Sequence, residues 1–226
     1  MLEIIAMTVK DAEHIEAGGA DRIELVSALS EGGLTPSYGL IEAVVNNVNI
    51  PVNIMIRPHA KGFYYTNDEI DLMKRDIIIA KELKVNGVVF GVLDEEENIS
   101  EPKLRELLSV CDGLEVTFNR AIDLINPVTG IKILAKYPQI TKVLSSGGTG
   151  FIKDNIPVLN KMTAHAGHIR LLVGGGLTMD NIDTIMQEVK GVEYHFGSAA
   201  RENSSLFGEI STERVKKLVN IIGKDK

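Results

Sequence analysis

Val52-Asn53-Ile54-Met55-Ile56-Arg57-Pro58, entered through Pro51, is the stretch from which the rest of this chain can be read. Proline has no backbone N–H to give to a ladder, so Pro51 and Pro58 punctuate the ends of a central strand. With a two-residue period, Val52, Ile54 and Ile56 share one face, while Asn53, Met55 and Arg57 share the other. An aliphatic face opposite a mixed face predicts a strand covered on both sides. An arginine on its last pleat is costly to bury without an anion. Two readings stay open at this point: a long side chain snorkelling toward a nearby carboxylate, or an anion-binding arginine at the mouth of a parallel barrel.

Working outward, strand-like runs and amphipathic helical runs alternate throughout. Strands are expected at 2–6, 22–26, 52–57, 87–92, 114–120, 141–145, 169–173 and 192–196. Helices are expected at 9–17, 37–46, 67–83, 102–110, 127–136, 154–165, 179–189 and 212–222. Asn67, Ser100 before Pro102 and Asn126 before Pro127 read as helix starts, and Thr8 with Asp11 as a weak capping box. Gly18-Gly19 reads as a helix stop. About eight strand–helix units without a linker imply one α/β domain over residues 1–226, a closed (β/α)8 TIM barrel. A doubly wound open sheet is the alternative.

A net charge of −7 over 226 residues, with no large basic cluster, argues against nucleic-acid or membrane-surface partners. Hydrophobic residues make up 44% of the chain, ample for a core. A single cysteine, Cys111, excludes an intrachain disulfide and any multi-thiolate site within one chain. The N-terminus passes straight into a strand, with no leader pattern, and no apolar run reaches membrane-spanning length; the expected location is cytoplasmic.

Glu3, Glu24, Arg57, Asn119 and His195 each lie on an expected strand with apolar neighbours. In a barrel the polar set points inward, and those near strand C-termini line the mouth, where barrels place their chemistry. Candidate catalytic residues are therefore Glu24, Arg57, Asn119, Arg120 and His195. Glu3 sits early in its strand and reads as a structural carboxylate near the bottom. Glu24 could neutralise Arg57, and His195 could be a hydrogen-bonded core histidine. Arg120 has the opposite parity and is expected to turn toward Asp123. Lys142, the one strand lysine suited to a Schiff base, lies at the start of its strand.

The turns after strands six, seven and eight are rich in glycine: Ser145-Ser146-Gly147-Gly148, Gly174-Gly175-Gly176 and Gly197-Ser198. Such turns give a backbone cradle for phosphate or a similar anion, or simply ease tight connections. Ser146, Gly147, Gly174, Gly175, Gly176, Gly197 and Ser198 are the candidate anion-holding residues.

Arg22-Ile23-Glu24-Leu25, Glu31-Gly32-Gly33-Leu34-Thr35-Pro36-Ser37, Met55-Ile56-Arg57-Pro58, Gly91-Val92-Leu93-Asp94 and Val116-Thr117-Phe118-Asn119-Arg120-Ala121-Ile122-Asp123 together resemble the copper homeostasis protein CutC family. The resemblance runs essentially the full length. It implies a cytosolic (β/α)8 barrel, often a homo-oligomer, associated with copper tolerance and credited with binding Cu(I). This chain departs from the family pattern in three places. Family members often carry cysteine, a soft Cu(I) ligand, where Ile5 and Val26 stand. Asn119 replaces a more usual histidine, and the loop after Pro58 reads His59-Ala60-Lys61-Gly62-Phe63. Two functional expectations follow: a protein of copper homeostasis, with copper as its cargo, or an enzyme or binding protein for a small anionic metabolite, phosphorylated or not. Whether it is an enzyme stays open, and no other cofactor is implied.

Overall fold

The computed structural model describes residues 1–223. Eight strands run in parallel and close in sequence order: β1 (Leu2–Ala6), β2 (Arg22–Leu25), β3 (Val52–Met55), β4 (Gly87–Phe90), β5 (Glu115–Phe118), β6 (Ile140–Ser145), β7 (Arg170–Val173) and β8 (Glu193–Phe196). β8 returns to β1 through Glu3↔His195 and Ile4↔Phe196. The connecting helices are α1 (Val9–Ala17), α2 (Tyr38–Asn47), α3 (Asn67–Glu82), α4 (Glu101–Leu108), α5 (Pro127–Leu134), α6 (Ile156–His165), α7 (Ile182–Glu188) and α8 (Thr212–Gly223). The expected (β/α)8 barrel is the fold observed. Among the described residues, no helix is long and apolar enough to cross a membrane.

Local chemistry explains most boundaries. Thr8 accepts from the Asp11 N–H and starts α1; Asn126 accepts from the Thr129 N–H and starts α5. α3 is capped by Thr66 rather than Asn67, through a reciprocal capping box with Glu69. Several strands stop short of their expected ends. β3 ends at Met55 because Arg57 gives its N–H to the Thr35 hydroxyl and accepts the Thr35 N–H at its carbonyl. β5 ends at Phe118 because Asn119 turns to cap a 3-10 turn, Arg120–Leu124. Arg57, Asn119 and Arg120 thus stand just beyond the strands, on the C-terminal rim.

The main core lies between barrel and helices, where Ile4, Ile23, Ile54, Val88 and Phe118 pack against the helical faces. A second, small apolar cluster comprises Ile5, Val26, Met55 and Val89. Around it the buried polar set includes Glu3, Arg22, Glu24, Asn53, Thr117 and His195. Apolar faces belong to the helix side, so polar groups meet inside the ring, as the alternation predicts.

Candidate functional site

A cavity of about 500 Å³ opens at the C-terminal ends of the strands, and Glu24, Arg57, Asn119, Arg120 and His195 all line it. Five residues from β2, β3, β5 and β8 or the turns after them therefore meet at one rim.

Arg57 is buried, yet the structure gives it no carboxylate partner among the described residues. Its Nη1 donates to the carbonyls of Glu31 (2.7 Å) and Gly33 (3.3 Å), and its guanidinium lies 4.6 Å from the centre of the Phe63 ring. Its Nε has no hydrogen-bond partner. Glu24 does not neutralise it: the ion-pair contact of Glu24 is to His195 instead. Carbonyl dipoles and a π face hold the cation in place without cancelling its charge, which leaves an outward attraction for an anion in the cavity.

On the opposite side of the mouth, His195 sits between two carboxylates. Its Nδ1 is 2.8 Å from Glu3 Oε1, and its Nε2 is 3.6 Å from Glu24 Oε2. The second distance is a charge contact and too long for a hydrogen bond. Glu3 is fixed in turn by Arg22 Nε at 2.5 Å and Asn53 Nδ2 at 3.4 Å, and Arg22 also reaches Glu193 at 3.0 Å. Burial disfavours the charged form of Glu3, but the bond from His195 and the charge of Arg22 outweigh it and bring the carboxyl down to about 2. For Glu24, burial dominates. The nearby His195 charge offsets only part of that penalty and Glu3 adds repulsion, so the carboxyl is pushed up to about 7. Burial also opposes the imidazolium of His195, yet Glu24 and Glu3 together raise its pKa above the ordinary value. Glu24 Oε1 is buried without a partner. Two carboxyls in one ring are thus driven apart, one kept ionised and one poised near neutrality, the pattern that separates a positioning group from an acid–base group. Glu3, expected to be structural, proves to be the direct partner of His195.

The glycine turns divide. After β6, the carboxylate of Asp123 accepts from the backbone N–H groups of Ser146 (3.1 Å) and Gly148 (3.2 Å) and from the Ser145 hydroxyl (2.5 Å). Gly147 gives its N–H to Ser145 Oγ. The nest does hold an anion, and that anion is the chain's own. Ser146 and Gly147 therefore have no N–H to offer a ligand, and neither lines the cavity. Asp123 also binds Arg120 Nε at 2.8 Å, as the parity suggests, while Arg120 Nη2 reaches Ser146 Oγ at 3.1 Å. The role of Asp123 as the hub of this turn was not legible; only the three-residue spacing from Arg120 hinted at it. Gly175, Gly176, Gly197 and Ser198 do line the cavity. Gly174 instead packs on His195, where a Cβ would stand 2.9 Å from the histidine Cβ. Gly175 (φ +80) supports Arg120: a Cβ there would lie 2.5 Å from the guanidinium carbon. Asn119, buried, accepts the Ala121 N–H and directs its amide toward Met55 Sδ at 3.8 Å.

The donor set does not fit a copper ion. Ile5 and Val26 supply aliphatic carbon to the cluster with Met55, and Met7 packs beside it. Among the described residues no group of three or more His, Cys, Asp or Glu side chains could hold a metal. Cys111 lies buried between α4 and β5, donates to the Leu107 carbonyl, and is pushed up to about 12 by burial. Lys142, at the start of β6, pairs with Glu115. Arg201, overlooked in the sequence, is fully buried and ties the chain after β8 to Asp11 (2.9 Å), the Ile5 carbonyl and the Gly208 carbonyl.

A closed parallel barrel with an arginine, a glutamate and a histidine converging on the cavity at its C-terminal rim is, as a class, a (β/α)8 protein. Within that class the chain belongs to the CutC family, whose model matches residues 1–201. It is 36% identical over 208 residues to the copper homeostasis protein cutC homolog of Homo sapiens, covering 91% of this chain and 76% of that one. It is 39% identical to family protein CutC of Glaesserella parasuis serovar 5 (strain SH0165), covering 86% of this chain and 80% of that one. The crystal structure of CutC from Streptococcus agalactiae superposes with a TM-score of 0.81 at 30% identity, over 86% of this chain and 97% of that chain. Phosphoribosyl anthranilate isomerase from Thermotoga maritima shares the fold at a TM-score of 0.65 and 16% identity, over 98% of each chain.

Proposed function

We propose that this CutC-family barrel binds a small organic anion at its mouth and exchanges a proton with it. On this reading, its part in copper homeostasis, suggested by the names of its relatives, runs through that molecule and not through a copper ion held by its own side chains. The observation that carries the reading is Arg57: a buried cation, held by carbonyl oxygens and the Phe63 ring, that faces the cavity without a carboxylate partner among the described residues. Arg120 offers a second, more exposed guanidinium, already paired with Asp123. Glu24 and His195 stand across the cavity as the acid–base pair, and the backbone of Gly175, Gly176 and Gly197 lines the remaining wall. We also propose a cytoplasmic location, in keeping with a chain that carries its one cysteine as a buried free thiol.

A thermal-shift screen of small carboxylates and sugar phosphates tests this. A ligand at a hundred times its Kd adds about 2.7 kcal/mol, a rise in Tm of roughly 5–10 °C for a chain of this size. The rise should vanish in Arg57→Ala. If no anion stabilises the protein, or Arg57→Ala responds like the native chain, the reading fails. A Cu(I) titration against a competing chelator should show no tight stoichiometric binding. A tight site would return the copper reading to first place.

A further inference from the structure

Glu3 is a fully buried carboxylate on β1 that does not line the cavity, yet it shares His195 with Glu24, which does. Among the described residues, the charged groups facing the imidazole are three, Glu3, Glu24 and Arg22. β1 presents Glu3. β2 presents Glu24 and, one residue pair deeper, Arg22, whose charge is taken up by Glu3 and Glu193. β7 presents Gly174, uncharged, whose missing side chain makes room for the ring. Both oxygens of Glu3 are engaged, Oε2 by Arg22 and Oε1 by His195. An ionised carboxylate can only accept, so the 2.8 Å contact requires the proton to be on Nδ1. Nε2 is then the nitrogen left to face Glu24 and the cavity. Its 3.6 Å separation from Glu24 Oε2 leaves both groups able to reach neighbouring atoms of one bound molecule.

We propose that Glu3 is the positioning residue for His195. It holds the imidazole with Nδ1–H turned away from the cavity, so that Nε2 and the Glu24 carboxyl together carry the proton the site exchanges with its ligand. Arg22 and Asn53 keep Glu3 ionised and immobile, which makes a buried line of groups from the lower barrel to the mouth. The inference rests on the acid–base reading of the mouth, but its test does not require the ligand to be known.

The test is the ligand-free protein labelled with 15N-histidine, its ring nitrogens followed by long-range 1H–15N spectra from about pH 5.5 to 9. His195→Gln identifies the His195 signals by their loss. In the native chain Nδ1 should stay protonated throughout, and Nε2 should be the nitrogen that titrates. Glu3→Gln should lower the His195 midpoint by at least one pH unit, a tenfold change in proton affinity. Glu24→Gln should lower the midpoint too but leave the proton on Nδ1, which separates the two carboxylates. A neutral native ring carrying its proton on Nε2 would overturn the proposal, as would a Glu3→Gln midpoint equal to the native one. Should Glu3→Gln fail to fold, the native tautomer and the Glu24→Gln spectrum decide alone. Loss of anion-induced stabilisation with the Nδ1–H tautomer intact would count against the anion reading and leave the role of Glu3 standing.

Discussion

Glu24 gives the fold an unusual pH dependence whose size follows from the site. Its carboxyl moves from an ordinary value of 4.5 to about 7 because it is buried beside His195 and Glu3. A raised folded-state pKa means that, between those two values, the folded chain holds more protons than the unfolded chain. Stability is therefore greatest, as far as Glu24 is concerned, below about pH 4.5 and declines as pH rises through 7. At about 1.4 kcal/mol per unit, the shift amounts to roughly 3 kcal/mol. For a chain of this size that corresponds to a fall in Tm of roughly 6–12 °C. His195, also raised, works in the same direction, since its imidazolium stabilises the fold below its unfolded pKa and the contribution is lost as pH rises. Glu3 works in the opposite direction but in another window: its contribution is present above 4.5 and is lost as pH falls toward about 2. Thermal melts at half-unit steps from pH 5 to 8, run on the native chain and on Glu24→Gln side by side, separate the Glu24 effect from that of His195. The native protein should lose stability toward pH 8, and Glu24→Gln should flatten most of the slope. Native stability that rises over this window, or a Glu24→Gln slope equal to the native one, would refute the assignment of Glu24 as the buried, proton-holding carboxyl.

Other perturbations read other parts of the site. Asp123→Asn removes the charge around which the Ser145–Gly148 turn is wrapped and should cost about 3–5 kcal/mol in urea unfolding, the usual loss when a buried charge network is broken. A loss below 1 kcal/mol would show the nest to be incidental. Gly175→Ala places a Cβ against Arg120 at a positive φ, so it should weaken anion-induced stabilisation as well as the fold. Gly150→Ala, also at positive φ but with open space around its Cβ, should cost stability alone; equal effects of the two on ligand response would refute the contact argument. Cys111, with its thiol pushed up to about 12, should resist alkylation at pH 8 in the native state and react on unfolding. Rapid native-state labelling would contradict its burial.

How much of this was legible from the chain alone depended on whether a feature is periodic. The closed barrel and the convergence of Glu24, Arg57, Asn119 and His195 follow from alternation: a two-residue period decides which side chains enter the ring, and strand order decides which end they reach. Arg120, of opposite parity, reaches the same mouth through the 3-10 turn that follows β5. Strand ends were less legible, because β3 and β5 stop where Thr35 and the Asn119 cap take over the backbone bonds, contacts made by loops with no period. The partner of Arg57 could not be read either. The choice between Glu24 and two carbonyls turns on where the Leu29–Glu31 turn folds back, which is tertiary geometry. The glycine-rich turn after β6 is the sharpest lesson. Its sequence announces an anion cradle, but whether the anion is a ligand or Asp123 depends on a side chain more than twenty residues earlier in the chain.

The most direct test of the central claim is a crystal structure of the protein grown with the small anion that raises its Tm most. The account predicts a carboxylate or phosphoryl oxygen within about 3 Å of the Arg57 guanidinium, hydrogen-bond distance for a charged pair, with the rest of the molecule reaching toward Glu24 and His195. An anion seated elsewhere, with Arg57 still facing an empty mouth, would contradict it.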